Sequence, residues 1–98
     1  MLDESRIAEI TRDVARGTLR PRWFRDAQVE PALDSDGNEA VRITIVIAPG
    51  AVRKLGGEAI LDTLVELRRR LEAEGEVRFP LVEYATEAEL SDSGDSES

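Results

Sequence analysis

The chain has 98 residues, of which 41% are hydrophobic and 35% are charged, and its formal net charge is −8. This balance is typical of one small soluble domain, and the absence of cysteine and histidine excludes disulfides, thiolate or imidazole catalysis and the usual zinc sites. No apolar run reaches the roughly 20 residues of a membrane span, and the N-terminus does not resemble a signal peptide. We therefore expect a cytoplasmic protein.

The first segment has the pattern of an amphipathic helix over 3–16. Asp3 can cap the first turn, and Gly17 is expected to end the helix in the left-handed conformation. The apolar side chains recur at helical spacing among charged residues; they are Ile7, Ile10 and Val14.

The next segment, 18–26, reads TLRPRWFRD and is expected to be a connector, because its proline breaks the helical period. Arginines alternating with aromatic side chains can contact the phosphates and bases of single-stranded nucleic acid; the arginines here are Arg20, Arg22 and Arg25. A sequence pI near 4.5 opposes that interpretation. We favour the alternative in which Trp23 and Phe24 fill the core while the arginine stems cover them.

Two strands are predicted over 27–34 and 39–48, joined by a turn at 35–38 that contains an Asp-Gly pair. The second strand alternates apolar and polar residues and is expected to be central. Pro31 cannot donate a hydrogen bond within a sheet, so the first strand is expected at an edge.

The turn is acidic and has the look of a calcium loop; its acidic residues include Asp34, Asp36 and Glu39. A twelve-residue loop that begins at Asp34 needs an acidic ligand at position 45, which is Ile45 on the predicted buried face. We therefore interpret the acids as a hairpin turn and expect neither a metal nor another cofactor.

A second helix is predicted over 57–74 and is expected to end at Gly75. Its apolar stripe is flanked by Leu61 and Val65 and consists of Ile60, Leu64, Leu67 and Leu71. A last strand is predicted over 77–85. The order is αββαβ, and a right-handed crossover makes the last strand parallel to the second. We expect an α+β fold with one three-stranded sheet and two helices packed on one face. Residues 1–90 form this single domain, and 91–98, which lack apolar side chains, are expected to be a disordered acidic tail.

Catalysis would have to depend on carboxylates, with help from Tyr84 or Lys54, and no pattern brings such groups into a cleft. We therefore expect that the protein is not an enzyme.

One stretch resembles a known group of proteins: the strand VRITIVI, the helix LDTLVELRRRL and the run GEVRFPLV that follows. It is similar to small uncharacterised bacterial αββαβ proteins, some of which are partners of HEPN-type toxins. The resemblance covers about half the chain and implies the antitoxin or modulator half of a two-gene system. It identifies no functional residue.

These observations favour a small acidic protein-binding module, with a nucleic-acid-processing enzyme as the partner class. The candidate contact residues are the acids of the turn and the arginines of the connector: Asp34, Asp36, Glu39, Arg20, Arg22 and Arg25. Two alternatives remain: a self-assembling structural module and a weak nucleic-acid-binding domain at 20–25. The acidic charge of the chain argues against nucleic acid as a partner, and we expect no membrane contact. A homodimer is favoured, because an edge strand and a broad apolar helix leave much surface to cover.

Overall fold

The computed structural model describes the backbone of residues 1–95 and the side chains of 1–91. The predicted α+β class and αββαβ order are confirmed, and a short third helix follows them. The elements are α1 (Glu4–Thr18), β1 (Phe24–Leu33), β2 (Glu39–Ile47), α2 (Ala51–Ala73), β3 (Phe79–Thr86) and α3 (Glu87–Asp95). Most side chains of the predicted tail, and residues 96–98 entirely, lie outside the described residues, so its disorder stays a prediction.

The three strands form one sheet in the order β1-β2-β3. β1 runs antiparallel to β2, and β3 runs parallel to β2, as the predicted crossover requires. The central position of β2 and the edge position of β1 are confirmed, and Pro31 pairs with Val41 at that edge. β3 forms the opposite edge of the sheet.

The core lies between one face of the sheet and the two long helices. Alternate residues of β2 point into it and are almost wholly buried: Val41, Ile43, Ile45 and Ile47. α1 contributes Ile7, Ile10 and Val14, and α2 contributes Leu67 and Leu71. The alternate side chains of β2 and the helically spaced side chains of α1 and α2 thus pack into a single apolar cluster, whose burial stabilises this small fold.

Two predicted boundaries of the first half were wrong. α1 continues past Gly17, which has no positive φ, because the next turn carries Leu19 into the core with 2% of its surface exposed. β1 begins at Phe24 and not at 27, because Phe24 already pairs with Ile47 across an irregularity in the register. In both places tertiary packing outweighs the local signal.

α2 begins at Ala51, earlier than predicted, because Ala51 is fully buried and anchors a first turn. Gly56 then interrupts the helix with φ 72° and ψ 161°, a conformation that favours glycine. The straight body of the helix follows this break, where the sequence pattern predicts its start. Gly75 ends the helical region with φ 89°, as predicted.

A buried ion pair joins the end of α2, the start of β3 and the N-terminal segment. The side chains of Glu76 and Arg78 are only 1% and 10% exposed, and Arg78 Nη2 lies 3.0 Å from Glu76 Oε1. Glu76 also accepts hydrogen bonds from the backbone N–H groups of Leu2 and Arg78, at 3.0 and 2.8 Å. Arg78 Nη2 in turn donates to the Leu2 carbonyl at 2.8 Å. We call this arrangement the Glu76 clasp.

The hydrogen bonds from Arg78 lower the pKa of the Glu76 carboxyl from 4.5 to about 2. A carboxyl whose pKa is lower in the folded state stabilises the fold above its unfolded pKa, and this contribution disappears as the pH falls through the folded pKa. The contribution is about 3 kcal/mol at neutral pH.

We therefore predict that Glu76→Gln lowers the free energy of unfolding by about 3 kcal/mol at neutral pH, because it leaves Arg78 buried without its charged partner. The difference in the free energy of unfolding between the wild type and Glu76→Gln should shrink as the pH falls from about 4.5 towards 2, where Glu76 itself becomes protonated. Urea unfolding of both proteins across this pH range measures it. Glu30→Gln is the matched control: its ion pair with Arg42 is exposed, so the change should be at most about 1 kcal/mol. Equal effects of the two substitutions would contradict the role of the clasp.

Candidate functional site

The structure separates the predicted contact residues into two groups at opposite ends of β1. The arginines lie at or before the start of the strand, and the acids lie in and after the turn that ends it. A ten-residue strand spans about 30 Å. The six residues therefore do not form one site, although five of them, all except Asp34, are exposed.

The acidic turn uses one of its carboxylates to hold its own conformation. Asp34 Oδ1 accepts the backbone N–H groups of Asp36 and Asn38, each at 2.9 Å, and Gly37 adopts φ 83°. Asp36 and Glu39 point to solvent. Among the described residues no group of three or more acidic side chains is placed to hold a metal ion. Asp34 therefore stabilises the turn, whereas Asp36 and Glu39 are open to a partner.

Trp23 is half-buried and packs against the core cluster. Its carbonyl accepts the Ala48 N–H at 2.9 Å, and the Arg22 guanidinium lies 5.8 Å from the centre of its ring. Within residues 1–91, none of the three connector arginines forms an ion pair. Arg20 and Lys54 line one open groove beside Trp23 together with Glu58 and Asp62, so the groove carries charges of both signs.

The largest apolar side chains left open on a helix lie on the outer side of α2. Leu61 and Val65 are 58% and 57% exposed, and their spacing of four places them side by side on the helix surface. The inner side of the same helix carries the buried residues Thr63, Leu67 and Leu71. The body of α2 is thus apolar on both sides, and only one side is covered by the fold.

β3 extends this exposed surface. The Arg68 guanidinium lies 5.4 Å from the centre of the Phe79 ring, and Phe79 is itself 51% exposed. An open groove of about 440 Å³ runs between α2 and β3, lined among others by Leu64, Arg68, Phe79 and Leu81. We call the whole surface the α2-β3 face; it comprises Leu61, Leu64, Val65, Arg68, Phe79 and Leu81.

The apolar pattern of the sequence places Leu61 and Val65 at the flanks of the buried stripe and therefore does not reveal this face. Apolar residues of α2 occupy more than half of its circumference, and spacing alone does not show which of them point inward. The sequence does contain a signal for this face: the pair Leu61 and Val65 has a charged residue three positions away on each side, Glu58 and Arg68. The pair Leu67 and Leu71, which lies in the core, is not flanked by charges on both sides in this way.

No protein-family model, curated protein or solved structure matches the chain. In the described part of the chain, every helix is too short or too polar to cross a bilayer.

We predict that Trp23→Ala lowers the free energy of unfolding by about 3 kcal/mol, because it removes a large ring that packs on the core. Replacing Arg20, Arg22 and Arg25 together by glutamine should change stability by at most about 1 kcal/mol for each residue, since these side chains are exposed and unpaired. Urea unfolding of both variants measures the two effects. A larger loss in the arginine variant than in Trp23→Ala would contradict the assignment of Trp23 to the core.

Proposed function

We propose that this protein acts by binding another protein, and that the α2-β3 face is the contact surface. The single observation that carries the proposal is the pair Leu61 and Val65, exposed on the helix whose Arg68 lies over the half-exposed ring of Phe79. A contiguous apolar surface with charged residues at its border is typical of protein interfaces.

The composition of the face supports this function. Aromatic and arginine side chains contribute most to binding at many protein interfaces, and here Arg68 and Phe79 are already in contact. Because the stacked ring restricts the Arg68 side chain, less conformational entropy is lost when a partner binds. The groove between Leu64 and Leu81 offers an adjoining recess for a partner's apolar side chain.

We further propose that one partner is a basic nucleic-acid-processing enzyme, which this protein would modulate as an antitoxin does. The net charge of −8 and the exposed acids Asp36 and Glu39 support it, because negative charge accelerates association with a basic surface. In this form the basic enzyme contacts the acidic turn, and the α2-β3 face stays free for another protein surface.

We predict that Val65→Glu abolishes partner binding without unfolding the protein, since a carboxylate at the centre of an apolar contact is desolvated without compensation. Affinity-tagged chain is incubated with a lysate of its native host, and the captured proteins, including untagged copies of the chain, are identified by mass spectrometry. Thermal unfolding checks that the variant folds.

The matched control is Val52→Glu, because Val52 is also 57% exposed and precedes the helix break at Gly56. It should retain every protein that the wild type captures. Equal capture by wild type and Val65→Glu would contradict the α2-β3 face as the contact. Captured nucleic acid that disappears when the connector arginines are replaced would favour the nucleic-acid alternative.

A further inference from the structure

The exposed side of α2 beyond Gly56 has a heptad spacing. Glu58, Leu61, Val65 and Arg68 follow one another at intervals of three, four and three residues, and all four are exposed. These intervals are those of the a and d positions at which two helices pack against each other. The spacing therefore defines a seam along the helix, and nothing in the described part of the fold covers it.

The seam is complementary to itself when it is read in the reverse direction. Leu61 and Val65 lie two positions before and after residue 63, and Glu58 and Arg68 lie five positions before and after it. In an antiparallel pair of α2 helices centred at this level, Leu61 meets the second copy's Val65, and Glu58 meets the second copy's Arg68. A two-fold axis repeats each contact, as it does in any isologous interface.

We propose that the partner of the α2-β3 face is a second copy of this chain, docked with the two α2 helices antiparallel; this rests on the proposed function. Two apolar contacts form the centre of the interface, and two ion pairs border it. The border pairs determine direction and register, because a parallel arrangement would place like charges opposite each other.

The neighbouring charges of α2 are consistent with this assignment. Arg69 pairs with Glu66, and Arg70 pairs with Asp13 of α1, so both serve the fold of one chain. Within residues 1–91, Glu58 and Arg68 form no ion pair. Asp62 and Glu72 of α2 are also exposed and form no ion pair within residues 1–91. Of the exposed charges in the body of α2 without an ion pair, Glu58 and Arg68 are the two of opposite sign at symmetric positions about residue 63.

The sheet edges are less suited to self-association. β1 contains Pro31 and β3 contains Pro80, and a proline removes a donor from any added strand pairing. The body of α2 from Gly57 to Ala73 is about 25 Å long, which is enough for an antiparallel pair with several layers of contact. Helix packing is therefore the favoured mode over strand addition.

The test is a charge exchange followed by sedimentation equilibrium from micromolar to millimolar concentration. Wild type is expected to form a dimer, and Glu58→Arg and Arg68→Glu should each raise the dimer Kd at least about tenfold by placing like charges together. The double variant restores both pairs in exchanged form and should return the Kd to within about threefold of wild type. Asp36→Arg and Arg25→Glu carry the same charge changes away from α2 and should leave the Kd unchanged.

A wild type that sediments as a monomer throughout, or a double variant no tighter than the single ones, would overturn the second-copy proposal. If a monomeric wild type still captures a different protein and Val65→Glu abolishes that capture, the proposed function stands without self-association. A dimer that persists unchanged in Val65→Glu would overturn the second-copy proposal, because the two copies would then meet through another surface. The proposed function would fall as well only if Val65→Glu also captured every other protein that the wild type captures.

Discussion

The buried contact between Glu76 and Arg78 fixes the place where the N-terminal segment, the end of α2 and the start of β3 meet. The Leu2 N–H donates to Glu76 Oε1 at 3.0 Å, and the Leu2 carbonyl accepts from Arg78 Nη2 at 2.8 Å. The pair therefore ties the turn after α2 to the N-terminal segment. A buried ion pair stabilises a fold only when its remaining hydrogen-bonding groups are satisfied, and here the backbone satisfies them. At the C-terminal end of α1, the hydroxyls of Thr18 and Thr63 lie 2.5 Å apart and connect α1 to the middle of α2. The long helix is thus held against its neighbours at its middle and at its C-terminal end.

This fixed placement decides which side of α2 is available to a partner. Because Thr63, Leu67 and Leu71 are held inward, Leu61 and Val65 must point outward. A sheet with helices on one face has too few elements to cover a helix that is apolar on both sides. The exposed seam is therefore a direct consequence of the packing, and we propose that another protein surface buries it.

The elements that depend on local pattern were predictable from the sequence. Alternation in β2, the proline in β1 and the glycine after α2 correctly indicate a central strand, an edge strand and a helix end. The errors lie where burial of a single residue outweighs local propensity, as at Leu19 and Ala51. For the functional surface, the sequence pattern favours the charged turn and connector, which the fold places at opposite ends of β1. The apolar seam was not predictable from the apolar pattern alone, because that pattern does not show whether Leu61 points towards the core or away from it. Its orientation follows only from the position of the whole helix on the sheet.

The central claim is that the outer side of α2 forms the interface of the protein. The most direct measurement is a filtered NOE spectrum of a mixed sample in which one population of chains carries isotope-labelled methyl groups and the other does not. We expect intermolecular NOEs between Leu61 methyl groups of one copy and Val65 methyl groups of the other. Intermolecular NOEs confined to the acidic turn or to the β1 edge, in a sample that is dimeric, would contradict it.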